Sequence, residues 1–381
     1  MDEDALTLGI EEEFQIVGPD GELRAHIEAV MERAFAISDL GDLVKPEFLQ
    51  STVEVGTKVC RDVAEARVEI TRMRRGLATI LDEAGLRLVS AGTHPFSRWQ
   101  DQQVTEKERY HTLEQEMQDV ARELLIFGMH VHIGIPDPEL RIDIFNEARY
   151  FLPHLLALSA SSPFWMGRDT GLKSYRSVVW SRFPRTGIPP HFESWAEWQN
   201  YVQLLQKTNS LPDPSKIWWD LRPHGVFPTI EFRICDAATR IDETICLAAI
   251  IQAFVAKLIK LRQQNLGFRT YAPKLIRENK WRAMRMGIEG KLIDFGKQEE
   301  VPEPDLIEEI IGFVDDVVDD LGSRKEVEYA RTILREGTSA ERQLRIFRET
   351  GDLQKVVDHL AEETVAGTEP EVVAEAPALE D

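Results

Sequence analysis

Apolar and polar residues alternate with period two over Thr7–Gly18, TLGIEEEFQIVG. That period predicts a β-strand with Leu8, Ile10, Phe14 and Ile16 on one face and Thr7, Gly9, Glu11, Glu13 and Gln15 on the other. Glu12 falls by parity among the core residues, where a carboxylate needs a basic partner. Further strands are predicted over Glu47–Val55, Leu86–Ala91, Phe127–Ile135 and Thr229–Cys235. Helical spacing covers His26–Ile37, Arg61–Ala84 (stopped by Gly85), Thr105–Leu125, Asp137–Ser161, Ser194–Lys207 with Ser194 as N-cap, and Asp242 to about Gln264. Arg72–Arg75 reads as a solvated helix face. Ser162–Glu193 is irregular. Beyond about residue 270 the pattern is helical only, over roughly 273–285, 303–321, 324–336, 339–348 and 352–362. The strands lie dispersed among helices without a βαβ rhythm, which predicts an α+β fold whose antiparallel sheet has one dry and one wet face.

The wet faces carry the chemistry. Glu11 and Glu13 share one side of their strand, about 7 Å apart. In FGMHVHIGI, His130 and His132 lie opposite the apolar Met129, Val131, Ile133 and Ile135. In TIEFRIC, Glu231, Arg233 and Cys235 lie opposite Ile230, Phe232 and Ile234. Glu54 shares a face with Thr52 and Gln50, whereas Glu47 has the opposite parity. Glu47 reaches that face only through a bulge or from the loop before the strand. A lone histidine is usually structural, and a lone Glu–Arg pair is usually a surface ion pair. Three strands that each place ionisable groups two apart on a wet face point instead to one shared site.

Composition narrows the options. The net charge of −21 leaves no electrostatic footprint for nucleic acid. Residues 362–381 hold seven Asp or Glu and no Lys or Arg, and read as an acidic disordered tail. Cys60, Cys235 and Cys246 match no zinc spacing and suit free thiols in a reducing cytoplasm, with Cys235 as a buried bystander. The acidic N-terminus has no secretory pattern, and no uncharged run of about 18 apolar residues predicts a membrane span. Carboxylates plus a histidine, without thiolates, suit Mg²⁺ or Mn²⁺. An arginine among them suits a phosphoryl group. ATP handled by several metals on an open sheet is the function this implies. No P-loop, H-E-x-x-H or G-x-S-x-G motif occurs.

GIEEEF, PEFLQSTVE, AGTHPF, GMHVHIGI, SYRSVVW…FPRTG and TIEFRICD occur in this order. Together they resemble the type 2 glutamate–cysteine ligase family, most closely its YbdK-type carboxylate–amine ligases, over roughly residues 5–360. The resemblance implies a glutamine-synthetase-like α+β fold, with a cup-shaped antiparallel sheet of about six strands and helices on its outer face. It implies a catalytic core over 1–300, and C-terminal helices (301–361) pack on that domain beyond Val301–Pro304, the best internal break in the residue pattern. It also implies the reaction: a carboxylate takes the γ-phosphate of ATP to give an acyl phosphate, and an amine displaces phosphate to form an amide. The donor is usually glutamate through its side chain. The metal ligands carried over are Glu11, Glu13, Glu47, Glu54, His132 and Glu231, with His130 a neighbour and Glu47 brought in by a bulge. Arg233 matches the arginine on the transferring phosphate. Arg176 matches a loop arginine near substrate or phosphate, with Arg182 and Arg185 as rivals. Thr93 and His94, where a strand ends in a loop, are candidate substrate contacts or a structural turn. A homodimer is a family-level expectation. The rivals are a dedicated glutamate–cysteine ligase, a metal-dependent hydrolase that needs no ATP, and a non-catalytic nucleotide-binding relative.

Overall fold

The structure, a computed structural model, describes residues 6–36 and 40–368. The alternating N-terminal stretch forms β1, Leu8–Val17. The other strands of its sheet are β2 (Val44–Pro46), β3 (Thr52–Gly56), β4 (Arg87–Val89), β5 (Met129–Gly134), β6 (Leu221–Pro223) and β7 (Thr229–Phe232). The order is β6-β7-β5-β1-β3-β2, with β4 on the far end of β1, and every pairing is antiparallel. β1 is central because it is long enough to pair with β5 over Leu8–Glu12, β3 over Glu11–Gln15 and β4 over Gln15–Val17.

The apolar face carries Leu8, Ile10, Phe14, Met129, Val131, Ile133, Ile230 and Phe232, all buried. Two helices cover it, Val63–Glu83 and Ile241–Gln263. The second is long and apolar enough to cross a membrane, but 83% of its apolar window is buried inside the fold, so it serves here as the core helix. Glu12 is also on this side, and its partner is Arg74. Arg74 Nε and Nη2 donate to the two Glu12 carboxylate oxygens at 3.0 and 2.5 Å, and Thr244 Oγ1 donates to the same carboxylate at 2.6 Å. The remaining Arg74 N–H groups reach the carbonyls of Thr239, Ala238 and Thr364. The solvated reading of Arg72–Arg75 is therefore wrong at Arg74, which is fully buried, while Arg72 and Arg75 are half-buried.

Three element predictions change. The 105–125 helix breaks at Gln118, whose φ of 52° separates Glu108–Met117 from Asp119–Arg122. The 137–161 helix splits into Pro138–Ala148 and Leu152–Ser159 around one 3-10 turn, because Pro153 cannot donate within a continuous helix. The helical C-terminal region contains a hairpin, Lys291–Asp294 with Glu299–Pro302. An element boundary falls within Val301–Pro304: Val301 and Pro302 end that hairpin and a buried Glu303 starts the next helix, Glu303–Val318. Leu306, Ile307, Ile310 and Val314 of that helix join the same core as the sheet. The tail also begins later than residue 362. The Leu353–Val365 helix buries Leu360, Ala361 and Thr364, and Glu363 pairs with Arg240 and Arg342. Residues 369–381, like 1–5 and 37–39, lie outside the described residues.

Candidate active site

Sheet register assembles the polar face. Glu11 sits opposite His130, Glu13 opposite Glu54, and Glu54 also opposite Lys45. Glu231 sits between His132 on β5 and Arg222 on β6. Gly9 is opposite His132, so no side chain from β1 crowds that imidazole. Glu47 lies between β2 and β3 and reaches the face from that loop, so the connection and not a bulge resolves its parity.

The six carboxylates and imidazoles fall into two groups of three. Ligand atoms of Glu11, His132 and Glu231 all lie within 4.8 Å of one another, and so do those of Glu13, Glu47 and Glu54. In the first group, Glu11 Oε2 is 3.1 Å from His130 Nδ1 and 3.9 Å from His132 Nε2. His132 Nδ1 is 3.2 Å from Thr229 Oγ1, and its Nε2 is buried with no hydrogen-bond partner. Burial would raise the Glu11 pKa, but the hydrogen bonds and charge of His130 and His132 outweigh it and hold the group far below the usual range. Glu231 is gripped by an arginine fork. Arg222 Nε donates to Oε2 at 2.6 Å and Nη2 to Oε1 at 3.3 Å, and Arg233 Nη1 donates to Oε1 as well. Burial opposes ionisation of Glu231, but Arg233 and Arg222 hold its pKa well below the usual value. Arg222 is itself anchored on the Ser215 and Ile217 carbonyls.

The second group has the opposite electrostatics. Burial, with repulsion from Glu54, pushes Glu13 up to about 7 despite Arg176, the Gly128 N–H at 2.5 Å and Arg233. Glu47 is raised by burial and by Glu13, and Glu54 is raised well above normal by burial, Glu47 and Glu11. Lys45 is the nearby cation, 3.3 Å from Glu54 and 3.7 Å from Glu11. Three carboxylates packed this closely, one buried and two half-buried, share protons unless a further cation joins them. Both donor sets, two carboxylates with one imidazole in the first and three carboxylates in the second, fit hard divalent cations.

The predicted arginines divide. Arg233 is nearly buried beside Glu231, and its guanidinium lies 5.9 Å from the Trp180 ring. Arg176 starts a short helix, Arg176–Trp180, and donates to the Ile234 and Arg233 carbonyls at 3.2 Å each. It is 4% exposed and braces the backbone that carries Arg233, with its charge felt at Glu13. Asp236 ties the same loop down through Ser161, Ser162 and Ser174, and a Cβ on Gly128 would run into the Arg176 guanidinium. Arg182 is 40% exposed and pairs with Glu123 at the surface.

The structure gives Thr93 and His94 the partners of the structural turn, the alternative to a substrate contact. Thr93 Oγ1 donates to the Phe164 carbonyl. His94 Nδ1 accepts from the Phe96 and Ser97 amides, and its Nε2 is 2.8 Å from the Gly21 carbonyl. Both residues are buried, and burial pushes the His94 pKa to about 3. A His94→Ala chain should lose on the order of 2–3 kcal/mol of stability, because two buried amides lose their acceptor. Its KM values should match those of the parent, which chemical unfolding and steady-state kinetics would check. Cys235 is buried, and burial pushes its thiol up to about 12.

The pattern missed Arg222 and Lys45, which sit on three-residue strands too short to show a period. The need of a buried Glu231 for a counter-charge was the available signal for Arg222.

The family model for "Glutamate-cysteine ligase family 2" matches residues 7–359. A Roseiflexus castenholzii protein named "Putative glutamate--cysteine ligase 2" is 57% identical over 363 residues, covering 95% of each chain. One of the same name from Sorangium cellulosum is 51% identical over 363 residues, covering 95% of this chain and 97% of that one. The chain belongs to glutamate–cysteine ligase family 2. It is an ATP-dependent ligase that joins a carboxylate to an amine. Two solved structures share the ligase's fold. A Francisella tularensis glutamate–cysteine ligase in complex with AMP has a TM-score of 0.70 at 12% identity, covering 95% of this chain and 89% of that one. A Pasteurella multocida bifunctional glutathione synthetase has a TM-score of 0.70 at 15% identity, covering 96% and 53%.

Proposed function

We propose that the polar face of the sheet is where this ligase makes a γ-glutamyl amide through an acyl phosphate. The observation that carries the reading is the division of Glu11, His132, Glu231 and Glu13, Glu47, Glu54 into two compact groups with complementary electrostatics. Each group would hold a Mg²⁺ or Mn²⁺ ion. The ions supply charge neutralisation, which lets an anionic carboxylate approach the ATP phosphates.

The remaining steps belong to the chain. The glutamate side-chain carboxylate is already a nucleophile, so no activated protein nucleophile is needed. Its oxygen attacks the γ-phosphorus, the bond to the β-phosphate oxygen breaks, and ADP leaves. Arg233 takes up charge on the transferring phosphoryl group, and Arg222 and Arg176 hold it in place through Glu231 and the main chain. The amine then attacks the acyl carbon and phosphate departs.

Cysteine heads the amines to test, since the relatives carry it in their name. Cytoplasmic location, in keeping with three free buried thiols, and a homodimer complete the reading. The test is an ADP-release screen with glutamate as donor, a panel of amines and either Mg²⁺ or Mn²⁺. ADP formation only when donor and amine are both present supports the proposal. Amide formation or hydrolysis independent of ATP overturns it.

Titration gives a second prediction. Between about pH 4.5 and 7 the folded, cation-free chain holds a proton on Glu13 that the unfolded chain has released. This group's contribution is therefore intact below pH 4.5 and is lost as pH rises through about 7. Mn²⁺ should raise the melting temperature more at pH 8 than at pH 5.5. Calorimetry in buffers of different ionisation enthalpy should show proton release on Mn²⁺ binding near pH 6 that fades by pH 9.

A further inference from the structure

The turn between β6 and β7, residues 224–228, lies at one end of the polar face, and neither acidic group uses its residues. Pairing of β6 with β7 sets Arg222 against Glu231, and period two carries His224 to that same face. There the His224 ring meets the ring of His132, a member of the first acidic group, edge-on at 5.4 Å. Hydrogen bonds lock the turn. His224 Nδ1 accepts from the Val226 and Phe227 amides at 3.2 and 2.9 Å. The His224 amide donates to the Thr229 carbonyl at 3.0 Å, and the Pro228 carbonyl accepts from the Ile135 amide at 2.8 Å.

A turn held this firmly nevertheless turns its apolar residues to water. Val226 is 83% and Phe227 58% exposed. Single exposed apolar side chains are ordinary, but the Phe227 ring is set as a platform. The His224 ring lies parallel to it, with 12° between the planes and 4.8 Å between the centroids, and covers one face. The other face is left open, and an open face on a stacked pair accepts a further planar ring. Of the ligase's reactants, ATP is the one that always brings such a ring. Its phosphates belong beside Arg233, which shares Glu231 with Arg222, and the turn is one ring contact away from the same acidic group. Trp180 is the aromatic residue nearest Arg233, but its surfaces are taken. It stacks on Phe183 at 5.5 Å, meets Trp218 at 6.3 Å and the Arg233 guanidinium at 5.9 Å, and donates its Nε1–H to the Trp218 carbonyl.

We propose that the purine base of ATP stacks on the open face of Phe227, with Val226 along its edge, so that the β6–β7 turn holds the nucleoside while the polar face holds the phosphates. This rests on the ligase reading of the polar face.

Calorimetric titration of the full chain with ADP and with tripolyphosphate, each with Mg²⁺, tests it. Phe227→Ala should weaken ADP binding about tenfold, in the range found when a base loses its aromatic partner. Tripolyphosphate, which has the phosphates and no base, should bind Phe227→Ala and the parent alike, and so reports that the variant is folded. Phe227→Tyr, which keeps the ring, should restore ADP binding to within about threefold of the parent. In turnover, Phe227→Ala should raise KM for ATP by the same factor while KM for glutamate stays in place. The proposal is overturned if Phe227→Ala binds ADP within about twofold of the parent, or if tripolyphosphate loses as much as ADP, which would make the turn a support of the phosphate site. A parent chain that binds neither compound overturns the ligase reading of the polar face and this inference with it, so the two failures are told apart.

Discussion

Arg233→Ala should lower kcat by 10²- to 10⁴-fold, about 3–5 kcal/mol in the transition state, as for other arginines that clamp a transferring phosphoryl group. Its KM for glutamate should move far less. The reasoning is local. The Arg233 guanidinium is nearly buried, where its charge is poorly screened, and it is held by Glu231 and by the Trp180 face. It lies on the same face as both acidic groups, so it meets the phosphates that these groups would recruit. Arg233→Lys should recover only part of the loss, because an ammonium cannot hold Glu231 and a phosphoryl oxygen with one planar fork. Single-turnover ADP formation separates this from slow product release. A kcat within threefold of the parent would remove Arg233 from the chemistry.

Arg74→Ala should destabilise the fold by about 3–5 kcal/mol, because it leaves the Glu12 carboxylate buried and uncompensated. Glu12 and Arg74 are 1% and 0% exposed, and the guanidinium binds six oxygens besides lying over the Phe14 ring at 5.2 Å. Those oxygens and that ring belong to β1, the core helix and its lead-in, and the C-terminal helix, so one side chain ties three distant parts of the chain. Replacing both partners, Glu12→Met with Arg74→Met, should cost clearly less than Arg74→Ala alone, since no buried charge is left behind. Urea unfolding of the three chains reads this directly. If the double replacement is as damaging as the single one, packing and carbonyl contacts dominate over charge.

How far these residues could be read from sequence depended on the length of the element that carries them. A period of two needs several residues to be visible. β1 has ten and β5 six, enough for parity to assign Glu11, Glu13, His130 and His132 to their faces. Glu231 and Arg233 followed from TIEFRIC, although the strand itself ends at Phe232. β2 and β6 have three residues each, and their charged members Lys45 and Arg222 left no trace in the pattern. Glu47 was ambiguous because a loop obeys no parity. Arg74 was misread as one of several adjacent charges. Yet Ile70, Arg74, Leu77 and Leu81 recur at helical spacing on the buried stripe of their helix, and that placed Arg74 inside. His94 sat in a loop, where sequence alone could not separate a substrate contact from a turn lock. The Lys291–Pro302 hairpin was hidden by four-residue strands between strong helical patterns.

Counting bound cations tests the central claim most directly. In the absence of nucleotide, Mn²⁺ titration followed by electron paramagnetic resonance should give two ions per chain. Glu13→Gln should remove the ion of the Glu13, Glu47 and Glu54 group, and Glu11→Gln that of the Glu11, His132 and Glu231 group, leaving one in each case. No tight Mn²⁺ in the parent chain, or two ions retained in both variants, would contradict the account.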